Sequence, residues 1–250
     1  MAEYTNPPII EAYCEMRFPP TMPWDLTIPG LFYEEVKADY PKKESLQQTR
    51  VEWQAGSEGI TNRITGDISL TRFKSEDDKA LIQIGPNLLS MHVLSPYPKW
   101  IFFRTMIQKG LASYRKIASP TGFERIGLRY INRISIPSLP PNQQIKIEEF
   151  IKALPYLPPS VPQTFLRWFM NVAVPHEDSN GVLAIQTANM PPSNPNEICF
   201  LLDLDYSALD IQKVTMENSL DWLELAHQNI ENDFESCITD KTRDLFNRRG

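Results

Sequence analysis

Residues Ile10 to Phe18 alternate in character, with Ile10, Ala12, Cys14, Met16 and Phe18 on one face and Glu11, Tyr13, Glu15 and Arg17 on the other. A period of two is that of a strand covering a core on one side. Pro19 and Pro20 lack backbone donors and end it. After Pro29-Gly30, the apolar spacing of three to four over Leu31–Tyr40 predicts a short helix that Pro41 stops. Three strand-like segments follow, at Leu46–Gln54, Ile60–Lys74 with a break near Gly66, and Ala80–Leu94. Trp100, Phe103, Ile107, Leu111 and Tyr114 then fall on one stripe, which predicts a helix from Trp100 to Ile117.

The second half runs through the same order. A strand at Glu124–Ile136 stops at Pro137, and a short amphipathic helix is expected near Ile147–Leu154. Strands are expected near Phe165–Val174, Val182–Ala188 and Ile198–Tyr206, then a long helix over Met216–Phe234 and a short one over Thr239–Arg248. The reading is therefore an α+β fold of two similar β-α-β-β-β-α units, residues 1–120 and 121–250, integrated in one domain. Their strands would form a curved antiparallel sheet with helices packed on one face.

The chain has 250 residues, ample for a sizeable apolar core without covalent staples. Its three cysteines, Cys14, Cys199 and Cys237, are scattered and lack Cys-x-x-Cys spacing, so they are expected as reduced, buried thiols. A net charge of −6 argues against a globally basic nucleic-acid surface, though a local basic groove stays open. The first residues carry neither a basic n-region nor an apolar h-region, and no apolar run is long enough to span a membrane. The expectation is a cytoplasmic protein with no membrane partner. The 22 prolines cluster at Pro19–Pro23, Pro137–Pro141, Pro155–Pro162 and Pro191–Pro195 and punctuate the chain.

Four stretches together resemble a known family: Asn6-Pro7-Pro8-Ile9-Ile10-Glu11-Ala12, the central Gly127-Leu128-Arg129-Tyr130-Ile131-Asn132-Arg133-Ile134, Leu202-Asp203-Leu204-Asp205-Tyr206, and the tail from His227 through Phe234 to Ile238-Thr239-Asp240. This is a sporadically distributed bacterial family of proteins of about this length, with no established common activity. The resemblance spans almost the whole chain and implies a single family unit. Sporadic distribution implies genes that travel with defence modules, such as accessory proteins encoded beside CRISPR effectors.

The central strand is unusually rich in hydrogen-bonding groups. Alternation puts Arg125, Arg129 and Arg133 on one face with Gly127 and Ile131, and Tyr130 and Asn132 on the other with Ile126, Leu128 and Ile134. A row of guanidiniums grips phosphates or a partner's carboxylates, or pairs with acids on neighbouring strands. These five residues, Arg125, Arg129, Arg133, Tyr130 and Asn132, form the candidate binding site. Asp203 and Asp205 share a face, with Glu197 near the same strand's start. They are either the minimum for a metal-assisted site or the answer to the arginine row. His227 sits on the stripe Leu220, Leu223, His227, Ile230, Phe234, where a core histidine bonded to backbone or carboxylate is expected. His92 lies in a strand and His176 in a loop beside Glu177 and Asp178. Trp53, Phe73, Trp168 and Phe169 interleave with Arg50, Arg63, Arg72, Lys74 and Arg167, a mixture that suits base stacking, a protein hot spot, or plain core beside solvated charge.

Phosphate loops, dinucleotide fingerprints, nucleophile elbows and His-Glu-x-x-His are all absent, so no catalytic residue, metal ligand or cofactor is assigned. The leading reading is a non-enzymatic binding or regulatory protein engaging a protein partner, within an antiviral defence system as the resemblance implies. The alternatives are a nucleic-acid-binding module on the same strand residues and a metal-assisted enzyme at Asp203 and Asp205.

Overall fold

The computed structural model of the chain describes residues 4–20, 24–56, 59–137, 146–162 and 165–247, with side chains throughout except at 47–69. In chain order the elements are β1 (Ile9–Arg17), α1 (Ile28–Val36), β2 (Lys42–Gly56), β3 (Gly59–Lys74), β4 (Ala80–Gly85), β5 (Leu88–Leu94), α2 (Trp100–Ala118), β6 (Arg125–Pro137), β7 (Phe169–His176), β8 (Gly181–Met190), β9 (Glu197–Ala208), α3 (Ser219–Cys237) and α4 (Asp240–Asn247). Among the described residues the fold is α+β, with nine strands in antiparallel pairings and four α-helices. No helix among the described residues is long and apolar enough to cross a membrane.

The chain divides into two compact units, one of residues 1–14, 94–98 and 125–250, the other of 15–93 and 99–124. In the smaller unit the strands run β2-β3-β4-β5. The apolar stripe of α2 buries Phe103, Met106, Ile107, Leu111 and Tyr114, each such side chain contributing roughly 1.5–3 kcal/mol. At Gly110 the helix comes so close to β5 that an added Cβ would lie 3.3 Å from the Met91 sulfur. Phe32 of α1 packs on Phe73 of β3 with ring centroids 5.5 Å apart, and Phe18 stacks on Tyr114 at 4.8 Å. Asp39 pairs with Lys109 and Glu35 with Lys116, which ties α1 to α2 at the surface.

The single strand expected over 80–94 is two strands. Asn87 adopts the left-handed region at φ 58°, so Gly85-Pro86-Asn87-Leu88 reverses the chain where apolar content alone reads as continuous.

In the larger unit the strand order is β1-β6-β9-β8-β7. β6 and β9 pair from Gly127↔Ser207 to Pro137↔Glu197, which places Leu128 beside Tyr206, Tyr130 beside Leu204, Asn132 beside Leu202 and Ile134 beside Phe200. All eight are buried, and α3 covers this face with Trp222, Leu223, Ala226, His227, Ile230 and Phe234. Gly181 opens β8 where it does because the Tyr206 ring crosses its backbone: a Cβ there would sit 2.1 Å from the ring. The Tyr206 hydroxyl is then held by Ser179 Oγ at 2.7 Å and Asn229 Nδ2 at 2.9 Å.

Two helices here differ from expectation. The segment near 147–154 forms only a 3₁₀ turn at Ile147–Glu149, because the backbone then turns to bond extended chain, Ile151 bridging to Ile238 and the Lys152 N–H donating to the Cys237 carbonyl at 2.7 Å. The long helix starts three residues later than the periodicity suggests. Asn218 accepts from the Thr215 N–H at 2.8 Å and donates to the Lys213 carbonyl at 3.0 Å, holding the preceding residues in a turn.

Candidate functional site

The polar face of β6 and β9 carries a ladder of ion pairs. Arg125 reaches Asp205 with Nη2 2.9 and 3.0 Å from its two oxygens. Arg129 clasps Asp203 in a fork, Nε to Oδ1 at 2.7 Å and Nη2 to Oδ2 at 2.5 Å, and also donates from Nη1 to the Tyr13 hydroxyl of β1 at 2.7 Å. Arg133 donates to the Pro191 carbonyl at 3.0 Å and to Cys199 Sγ at 3.2 Å, and lies 3.4 Å from Glu197. Each guanidinium bonds an acid placed diagonally across the strand pair rather than the residue directly opposite, all leaning toward the C-terminal end of β6.

Electrostatics follow from this geometry. The bonds to Asp203 hold the Arg129 guanidinium charged, above its ordinary value, against the burial that opposes it. Burial pushes the Asp205 carboxyl up, and Arg125 and Arg129 only partly offset it. The N–H of Ser193 leads the contacts that pull Glu197 down. Gly127 is part of the device. Arg125 lies across it, and a Cβ there would sit 2.8 Å from Nη1.

The five residues singled out as a binding site therefore divide between two faces. Arg125, Arg129 and Arg133 are ion-paired within the chain, while Tyr130 and Asn132 are buried on the core side. Asp203 and Asp205 are the partners of this ladder. No group of three or more His, Cys, Asp or Glu among the described residues is placed to hold a metal.

A buried polar chain runs through the core face. Tyr130 Oη is 3.0 Å from Tyr97 Oη and 3.0 Å from His227 Nδ1, and His227 Nε2 is 2.8 Å from Glu231 Oε1. With the Glu231 carboxylate accepting the Nε2 proton, Tyr130 donates to Nδ1 and Tyr97 donates to Tyr130, so each donor meets an acceptor. Burial raises the Tyr97 and Tyr130 phenols well above their ordinary range. Burial also pushes Glu231 up, but the hydrogen bond and charge of His227 lead the contacts that bring it below its ordinary value. An apolar cavity of ≈ 10 Å³ lies against Tyr130, Asn132, Ile230 and Phe234. It has room for about one water. The helical spacing of His227 and Glu231 marks this pair in the sequence. Its meeting with Tyr130 depends on how α3 crosses β6.

The aromatic and basic residues are likewise sorted by face. Phe73 is core, while Arg72 and Lys74 on the same strand both pair with Glu44, at 2.9 and 3.0 Å. Trp168 is buried, its Nε1 donating to Thr187 Oγ1 at 3.2 Å. The side chains of Arg50, Trp53 and Arg63 lie outside the described residues. His176, read as a loop residue, ends β7 instead, with Nε2 3.5 Å from Asp233 Oδ2 and its ring edge-on to Tyr206.

Of β7 the sequence marks only Phe169, among the aromatic and basic residues, and His176, and neither as part of a sheet edge. The strand closes one end of the strand order, and among the described residues no strand pairs with its outer side. Phe169 is 69 % exposed, Val172 41 % and Val174 40 %, so apolar side chains stand in solvent on both faces. Phe169-Met170-Asn171-Val172-Ala173-Val174-Pro175-His176 contains no Lys, Arg, Asp or Glu. Edge strands are ordinarily guarded by charge, proline, bulges or covering chain, because their unpaired backbone groups template further pairing, and of these β7 has Pro175 near its C-terminal end. No protein-family model matches the chain, and no curated protein matches it.

Proposed function

We propose that this chain is a non-enzymatic binding protein that engages a protein partner by accepting an added strand along the outer edge of β7. The observation that carries the proposal is an apolar, uncharged edge strand exposed on both faces. Strand addition uses the unpaired backbone groups for affinity and alternate side chains for specificity. Phe169, Val172 and Val174 supply apolar contact on the two faces. The antiviral setting implied by the family resemblance belongs to the same proposal and rests on the motifs around Arg129 and Asp203.

Expected of such a site is a stoichiometric, nuclease-resistant complex of the tagged chain that Val172→Lys abolishes without changing the circular dichroism or melting temperature. A complex indifferent to Val172→Lys and Phe169→Lys would overturn the assignment of β7. The nucleic-acid alternative has less support, since Arg72, Lys74, Arg125, Arg129 and Arg133 are all engaged by carboxylates of the chain itself. It requires oligonucleotide affinity falling steeply with salt.

The two halves of the chain are read, within the same proposal, as divergent versions of one unit, the first having gained a strand by the turn at Asn87 and the second keeping only the 3₁₀ turn at Ile147–Glu149 where the first has α1. Support comes from their closing helices, α2 and α3, each of 19 residues and each following antiparallel strands. An experimental structure in which β1 through α2 failed to superpose on β6 through α3 beyond the opening strand would refute this.

A further inference from the structure

We propose that the strand added to β7 is the β7 of a second copy, paired antiparallel about a two-fold axis through Val172. This rests on the reading of β7 as the docking edge and names its occupant. A two-fold axis normal to the sheet keeps every residue on its own face. The register must therefore place either one residue opposite itself or residues of like parity opposite each other.

With Val172 on the axis, Val172 meets Val172 of the second copy, Met170 meets Val174, Asn171 meets Ala173 and Phe169 meets Pro175. Outside the strand, Arg167 lies two residues before β7 and Glu177 opens the 3₁₀ turn Glu177–Ser179 that follows it, and their long side chains bring Arg167 of each copy to Glu177 of the other, two opposite-charge pairs that bracket an uncharged strip. Both residues are exposed and make no ion pair among the described residues. Shifting the axis to Ala173 sets Phe169 against Glu177 and Arg167 against Ser179. Shifting it to Asn171 sets Arg167 against Pro175 and Glu177 against Phe165. Of these three registers only that on Val172 brings Arg167 to Glu177, with Asn171 against Ala173 its one polar–apolar match, and this charge pairing is the self-complementarity an isologous interface requires.

An acidic chain of net charge −6 self-associates best through a patch free of unpaired carboxylates, and β7 is such a patch. Two strands of eight residues make a small interface. Its dissociation constant is expected on the order of 10 µM.

The test is sedimentation equilibrium of the full chain from roughly 1 to 300 µM, a range bracketing that affinity. The expected mass rises from 28.8 kDa toward twice that value. Arg167→Glu and Glu177→Arg each weaken the dimer by about tenfold or more, and the double charge swap restores it. Val172→Cys gives a disulfide-linked dimer on mild oxidation, since its Cα atoms face each other at bridging distance, whereas Asn171→Cys does not. A chain that stays monomeric throughout, or a dimer indifferent to both charge reversals and not trapped by Val172→Cys, overturns the proposal. If the chain is monomeric yet Val172→Lys removes a stoichiometric complex with a different protein, self-pairing falls and strand addition at β7 stands. If no complex of any kind depends on Val172, both fall. The charge reversals lie outside the strand on exposed side chains, so their outcome does not hinge on β7 tolerating substitution.

Discussion

Replacing Arg129 by Met isolates the value of the central rung of the ion-pair ladder. Met keeps the unbranched stem but removes both bonds to Asp203 and the one to Tyr13. The Asp203 side chain is only 3 % exposed, so its carboxylate would be left in the sheet without a counter-ion and with little water to replace it. Breaking one partner of a buried pair in this way costs about 3–5 kcal/mol. In a chain of this size each kcal/mol shifts the melting temperature by roughly 2–4 °C, so Arg129→Met should melt about 6–20 °C lower. Combining it with Asp203→Leu removes the stranded charge, and the double variant should recover most of the loss, because a buried pair is often matched by apolar residues of similar volume. Urea unfolding at neutral pH of the wild type, the two single variants and the double variant completes the cycle. A loss below about 1 kcal/mol in Arg129→Met would show that the pair behaves as a surface salt bridge. No recovery in the double variant would show that Arg129 acts through packing instead of charge. Either result would sink the assignment of the arginine row to internal pairing and reopen it as a partner-binding surface.

Gly181→Ala should fail to accumulate as soluble protein or melt far below wild type, since its Cβ would overlap the wholly buried Tyr206 ring; a near-neutral Gly181→Ala would mean that the ring has another place to go. Gly127→Ala should be milder, about 1–2 kcal/mol, because only the flexible end of Arg125 must move; the loss should vanish in an Arg125→Met background. Raised Tyr97 and Tyr130 phenols keep their protons in the folded state while the unfolded chain loses them. Stability is therefore unaffected below a pH of about 10 and falls as pH rises past it, with tyrosinate absorbance appearing in the unfolding transition; ordinary titration of every tyrosine in the folded protein would contradict their burial. His227→Gln should cost about 2–4 kcal/mol by leaving the Tyr130 hydroxyl and Glu231 poorly matched, measured by urea denaturation, and a cost under 1 kcal/mol would mean that water replaces the imidazole.

Much of the larger unit was legible because strand parity is a strict rule. Once Ile126, Leu128 and Ile134 are assigned to the core, Arg125, Arg129 and Arg133 must share the opposite face, and the same parity joins Asp203 to Asp205. Their meeting needed only that β6 and β9 be neighbours. His227 was placed in the core by its helical stripe, and it is buried there. Local turn chemistry was harder to weigh against apolar content, which is why Asn87 and its turn were passed over inside 80–94. β7 was illegible for a different reason. Val172, Ala173 and Val174 form a continuous apolar run of the kind that fills the middle of a sheet, and only the strand order reveals that this run lies at the edge. The Tyr97–Tyr130–His227–Glu231 chain joins three separate stretches of sequence, and only the Glu231 spacing was local.

The diagonal lean of the arginine ladder bears on how the β6–β9 pair finds its alignment during folding. Sliding β9 along β6 by two residues returns every side chain to its proper face, so the oil-like residues Leu202, Leu204 and Tyr206 tolerate the error with little protest. The charges do not. Such a slip in one direction presents Arg129 with Asp205 and Arg133 with Asp203 but leaves Arg125 with Ser207 and carries Glu197 past the end of the pair; in the other it presents Arg129 with Leu201 and Arg125 with Asp203. The spacing of three cations and three anions thus acts as a vernier, distinguishing the native alignment from its nearest hydrophobically equivalent neighbours.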